Sequence, residues 1–283
     1  MPSHTDALAV DGADAGRPAP TRYCADCGSR DPGRGHICPG PARPRALDAG
    51  PINRHDPRSD TQSEGQYDAQ MSSVRDALAL YFSILSVLGA ASVVALLMPI
   101  VTPEQDAALD LTASAAMTAV VAIAAIFARR RLAPVLTTIG ALRWYALAPV
   151  AALGTFALAT ILCDAAAFWF GVPLVDATAS MRAAGFPWAV AVVVLCVQPA
   201  IFEELAFRGV MSASLEPALG VRPTIVLTAF LFAIIHLNPI SLLHLLVIGL
   251  TLGVLRRVSG SLYPCILLHL CHNGLCLLEE ALR

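Results

Sequence analysis

From about residue 77 to residue 278 the chain is a succession of apolar runs, several close to twenty residues long, separated by short polar breaks. A helical run of about 20 residues crosses the roughly 30 Å hydrocarbon core of a bilayer. Backbone in hydrocarbon must satisfy its own hydrogen bonds, which a helix does. The pattern therefore constrains the chain to an all-α, polytopic membrane bundle of about six to eight helices. Composition agrees, because 56% of the 283 residues are hydrophobic and 14% are charged, with a mean hydropathy of +0.65, far more apolar than soluble domains. A net charge of −2 supplies no basic field for nucleic acid. The expected partners are the lipid bilayer and a peptide or protein substrate held at it.

Residues 1–72 are different in kind, being rich in Pro, Gly, Asp, Arg and Ser with hardly an apolar run, a composition that builds no core. They are expected to form a cytoplasmic tail, with residues 39–72 as a flexible linker. Within the tail Cys24-x-x-Cys27, followed by His36-x-Cys38, places three thiols and an imidazole at the spacing of a small tetrahedral zinc knuckle. The alternative is a disordered tail with incidental cysteines. A disulfide is disfavoured in a reducing cytoplasm. No apolar stretch falls early enough to be a cleavable signal peptide, so the first membrane helix is expected to act as its own insertion signal.

Candidate helices fall at about 77–100, 108–128, 145–170, 186–206, 223–237, 240–255 and 261–278, the last three short and closely spaced. Residues 73–185 then form an N-terminal group of spans and residues 186–283 a second region that bears the chemistry. Every basic residue is arginine, and short cytoplasmic loops retain Arg. Arg129, Arg130, Arg131 and Arg143 mark one cytoplasmic loop. The segment around Thr102 is then external, the N-terminus is inside, and the segments with Arg208 and Arg222 and with Arg256-Arg257 are cytoplasmic. With its alanine-rich, lysine-free composition the chain is expected in a bacterial inner (cytoplasmic) membrane as a multi-pass protein, with its site toward the cytoplasmic face.

Ionisable groups at membrane depth are costly and mark function by default. Glu203, Glu204 and Arg208 continue an apolar helix. Glu204 and Arg208, four apart, share a face and can neutralise each other. Glu203 is rotated about 100° away and has no partner in its own helix, which leaves it suited to take a proton. Phe232 and His236, and His269 and Asn273, are likewise spaced four apart on one face each. Two histidines and an amide from separate helices can converge on one pocket, and with Glu203 they supply a base for water and donors for an oxyanion. Taken singly, each motif is as well explained by packing or an ion pair. His244 and His272 fall outside the pattern as packing or supporting groups, His272 the nearer to the pocket. Asp110 and Asp164 are explained by snorkelling or helix ends. Cys163, Cys196, Cys265, Cys271 and Cys276 read as small hydrophobes.

As an ordered set, Glu203-Glu204-x-x-x-Arg208, Phe232-x-x-x-His236 and His269-x-x-x-Asn273 resemble the three-motif signature of the CPBP family of CAAX prenyl endoproteases and bacterial Abi proteins. The resemblance spans residues 190–278. It implies an intramembrane endopeptidase in which Glu203 and His236 activate water, His269 and Asn273 bind the oxyanion, and Glu204, Arg208 and Phe232 hold the site in shape. The same Glu and His side chains could instead bind a divalent ion that activates the water. The chain lacks the His-Glu-x-x-His pattern of helix-borne zinc sites, which favours glutamate-activated water. A non-catalytic interaction or immunity protein that retains the fold is the alternative function. A transporter is disfavoured by the lack of an evident inverted repeat.

Overall fold

A computed structural model describes residues 57–97, 102–171 and 176–282, with side chains from residue 68 onward. The chain divides into two units, Met1–Asp60 and Thr61–Arg283, and the packing described below lies within the second. The tail cysteines Cys24, Cys27 and Cys38 and His36 lie outside the described residues.

Among the described residues there are helices and no strands. They are α1 (Pro57–Leu97), α2 (Pro103–Phe127), α3 (Arg129–Thr137), α4 (Leu142–Phe170), α5 (Ala179–Ala183), α6 (Trp188–Leu219), α7 (Val221–Ile234), α8 (Leu242–Ser259) and α9 (Tyr263–Leu282). Helices α1, α2, α4, α6, α8 and α9 are long and apolar enough to cross a membrane. At 14 residues, α7 reaches only about 21 Å, short of the roughly 30 Å core.

Local chemistry sets several boundaries. Thr102 caps α2, its Oγ1 accepting from the Gln105 N–H at 3.4 Å, with Pro103 in the first turn and Glu104 and Asp106 at the positive end of the helix dipole. At the far end of α8, Arg256 and Arg257 occupy the last turn and Gly260 closes it at φ 67°, its N–H returning to the Arg256 carbonyl.

Three expectations are corrected. The stretch read as linker to residue 72 is already helical from Pro57; Pro57 fits a helix start, and no further proline occurs before Pro99. The helix expected to stop at 206 runs to Leu219, because Glu204 and Arg208 neutralise each other inside it at 2.8 Å, both side chains fully buried. Arg208 is therefore a mid-span group and no marker of a cytoplasmic loop. The loop expected after α2 contains α3, which buries Leu132 and Val135 and exposes Arg129–Arg131, an amphipathic segment too short to span.

One core runs through the bundle, from Ala77 and Ile84 on α1 through Phe207 and Met211 on α6 to Leu252 on α8 and Leu268 on α9. Helices α7 and α8 pack closely because Gly249 and Gly253, four apart, face α7. A Cβ at Gly249 would lie 3.0 Å from the Ala229 Cα, and one at Gly253 would lie 2.9 Å from Ile225 Cγ2. This is the small-xxx-small contact of membrane helices, and it also determines which carbonyl α8 presents to the site.

Candidate active site

The helix that bears the acidic pair is not uniformly α. It has π-helical turns at Val193–Val197 and Leu205–Met211, on either side of an α segment from Gln198 to Glu204. Pro199 contributes to the first irregularity, since it brings no N–H to the Leu195 carbonyl four residues earlier. That carbonyl accepts instead from Asn273 Nδ2 on α9, at 3.2 Å. Such turns recur at functional sites because they re-aim side chains and free backbone groups.

Arg208 is the hub of the buried polar cluster. Its Nη1 donates to Glu204 Oε1 at 2.8 Å and its Nη2 to the Gly249 carbonyl at 2.9 Å. Its guanidinium lies 4.5 Å from the centre of the Phe232 ring, a cation–π contact strengthened by desolvation. Glu204 Oε1 also lies 3.0 Å from His269 Nδ1. One carboxylate oxygen thus balances the guanidinium and orients the imidazole, as carboxylates orient histidines in many active sites. The Phe232 ring meets both histidine rings edge-on, 5.0 Å from His236 and 5.9 Å from His269.

With Nδ1 engaged by Glu204, His269 turns Nε2 toward Glu203, 4.0 Å from its Oε2. No protein group hydrogen-bonds to that Oε2, which is buried. His236 follows the last turn of α7, and its Nδ1 lies 2.9 Å from the Phe232 carbonyl. A carbonyl only accepts, so Nδ1 carries the proton and a neutral His236 presents its Nε2 lone pair.

Glu203, His236, His269 and Asn273 all line one cavity of about 900 Å³. Glu204, Arg208 and Phe232 stand behind that wall. Two histidines outside the motifs also line it. His272 Nδ1 lies 3.0 Å from Thr155 Oγ1, which ties α4 to α9, and His244 Nδ1 is buried without a partner. Asp110, read as a snorkelling or helix-end residue, also faces the cavity, with Ser180 Oγ donating to it at 3.4 Å. Its place i to i+4 after Asp106 near the start of α2 was the available signal. Nothing in the sequence pattern pointed to Thr155.

Among the described residues no three His, Cys, Asp or Glu side chains are placed to hold a metal ion. Glu204 is committed to Arg208 and His269, and His236 Nδ1 to a carbonyl, so the donors present do not converge on a common point. Among the described residues the cysteines of the apolar segments form no disulfides. Buried Cys196 and Cys265 direct their thiols to the Leu270 and Leu252 carbonyls, as small core residues do.

The order and geometry of these motifs coincide with a family match: residues 185–275 fit the model of Rce1-like type II CAAX prenyl endopeptidases. This region is similar to the CAAX protease family. No curated protein and no solved structure matches the chain. The Rce1-like region begins just before α6 and ends within α9, so it contains the whole cluster from Glu203 to Asn273. Helices α1, α2 and α4 lie outside it, yet α1 and α2 supply part of the cavity wall, through Ser92, Asp106 and Asp110, and α4 supplies Thr155 behind it.

Proposed function

We propose that the chain is an intramembrane endopeptidase that hydrolyses a peptide bond of a membrane-associated substrate with water activated by Glu203 and His236. The observation that supports this reading is the Glu203 carboxylate, with Oε2 buried and unpartnered on the wall of the cavity, 4.0 Å from His269 Nε2. A carboxylate held out of water with no partner is a base waiting for a proton. Water placed between Glu203 and His236 gives up a proton to the carboxylate, and its oxygen attacks the scissile carbonyl. The oxyanion that forms is met by the second Nδ2 hydrogen of Asn273, the first being used on Leu195, and by the Nε2–H of a doubly protonated His269, whose Nδ1–H donates to Glu204. Glu203 then returns its proton to the leaving amine and the C–N bond breaks, so the reaction needs no other reactant. Arg208, Glu204 and Phe232 hold the two histidines in place.

The protein is proposed to reside in a bacterial inner membrane with its N-terminus in the cytoplasm. Helix ends with Arg75, Arg129–Arg131, Arg143, Arg222 and Arg256-Arg257 are those expected inside. The test is a comparison of new peptide termini in membranes from cells making wild-type protein or Glu203→Ala at matched levels. Loss of particular termini with the glutamate supports the protease. Coincident profiles, with a phenotype only on deletion of the whole protein, would turn the reading to an interaction or immunity role.

A further inference from the structure

Apart from Arg182 and the buried Arg208, the described arginines from Arg75 onward and the cavity lie at opposite ends of the bundle. One end is tied together by Arg131 to Asp76 at 3.0 Å, Arg257 to Glu216 at 3.3 Å, and the Tyr263 hydroxyl donating to the Leu136 carbonyl at 2.8 Å. This end holds the start of the α1 span, the turn from α2 through α3 to α4, the α6–α7 turn and the α8–α9 turn, and with them Arg75, Arg129–Arg131, Arg143, Arg222 and Arg256-Arg257.

The cavity is lined from the other end. Its wall comes from the last part of α1 (Leu88, Ser92), the first half of α2 (Asp106, Asp110), the segment at Asp176–Ser180, the first half of α6 (Leu195, Glu203), the turn after α7 (His236), the start of α8 (His244) and α9 as far as Glu280. Among the described residues the only arginine at this end is Arg182, paired with Asp176. Toward the arginine end the site is closed by Phe207, Met211, Leu252, Leu262 and Cys265, each at most 1% exposed.

All the connections concerned are short, the regime in which Arg placement governs orientation and acidic residues contribute little. The arginine end is then cytoplasmic, and the cavity opens on the opposite face. We infer that the site is served from the exocytoplasmic side. Its substrate is a membrane-bound peptide whose scissile bond lies in the outer half of the bilayer or just beyond it, not the cytoplasmic tail of a lipidated protein. The substrate class rests on the protease reading; the direction of opening does not.

The test is labelling with a membrane-impermeant maleimide in right-side-out and inverted vesicles, measured over the signal from the native cysteines. Two single variants of the full chain are compared: Ala177→Cys at the cavity rim, and Thr138→Cys on the exposed turn after α3. Ala177→Cys is expected to react in right-side-out vesicles and Thr138→Cys in inverted ones. The reverse pattern overturns the inference, as does an Ala177→Cys that reacts only in inverted vesicles or only after detergent solubilisation. Labelling reads orientation whether or not the protein cleaves anything, so a failed protease reading, seen in the terminus profiles, remains distinguishable.

Discussion

His269 Nδ1 and Arg208 Nη1 converge on the same oxygen, Glu204 Oε1, at 3.0 and 2.8 Å. Glu204 is fully buried and Arg208 nearly so, which makes this carboxylate the junction between the ion pair that keeps α6 intact and the imidazole that faces Glu203.

Removing one partner strands the other. Glu204→Ala leaves a buried guanidinium with only the Gly249 carbonyl and the Phe232 face, a loss of about 3–5 kcal/mol. A shape-matched apolar pair, Glu204→Leu with Arg208→Met, is expected to recover most of that stability while remaining inactive, because His269 has lost its orienting oxygen. Thermal unfolding in detergent checks this. A double variant no more stable than Glu204→Ala contradicts the assignment.

Pro199 and Asn273 are predicted to be coupled through the Leu195 carbonyl. Pro199→Ala restores an N–H that can compete for that carbonyl, releasing Asn273 from the position in which its other hydrogen faces the cavity. A misplacement of about 1 Å can cost up to about 100-fold in rate, whereas removing an oxyanion donor outright costs about 10²–10³. Cleavage rates are therefore expected to fall in the order wild type, Pro199→Ala, Asn273→Ala, with the fold intact in both variants. A Pro199→Ala enzyme of full activity would break the link.

The segment beside the cavity mouth gives a pH prediction. The Asp176 carboxyl is held down to about 2 from its ordinary 3.8, first by a hydrogen bond with the Glu280 carboxyl and then by Thr178 and Arg182. A depressed carboxylate contributes stability that is fully present above its unfolded value and lost as pH falls through its folded one. The contacts of residues 176–182 are expected to persist down to about pH 4 and to loosen between 3.8 and about 2. Hydrogen exchange of this segment reads the transition, and Asp176→Asn should show the loosened pattern already at neutral pH.

The tail is predicted to bind zinc through Cys24, Cys27, His36 and Cys38. Purified full-length protein should contain about one zinc per chain, the stoichiometry of a single Cys3His knuckle, and Cys27→Ser should lose it while membrane cleavage continues. Metal content no higher than in the variant would return the tail to the disordered reading.

Much of this was legible in the sequence, for physical reasons. Apolar runs of bilayer length report spans directly, and the i, i+4 spacing of Glu204 with Arg208 reports a shared face, so the ion pair could be read before its surroundings were known. What could not be read depended on the partner helices. Arg208 looked like a loop charge because its burial and its contacts with Gly249 and Phe232 appear only once α6, α7 and α8 pack. The π-helical turns around Gln198–Glu204 left one trace, Pro199, whose meaning requires the Asn273 side chain from α9. The close approach of α7 and α8 at Gly249 and Gly253 was not read from the sequence, since only the packing shows that the pair faces α7. The cavity's direction was hidden because its wall is assembled from helix halves far apart in the chain.

The account stands most directly on Glu203. The decisive measurement is hydrolysis of a peptide substrate, identified from the terminus profiles, by purified protein in liposomes, comparing wild type with Glu203→Gln, which keeps the size and polarity of the side chain but cannot take the proton. The account predicts that wild-type protein cleaves at the mapped bond and that Glu203→Gln, folded and inserted to the same extent, is slower by at least about 10²-fold. Equal cleavage by the two proteins would contradict it.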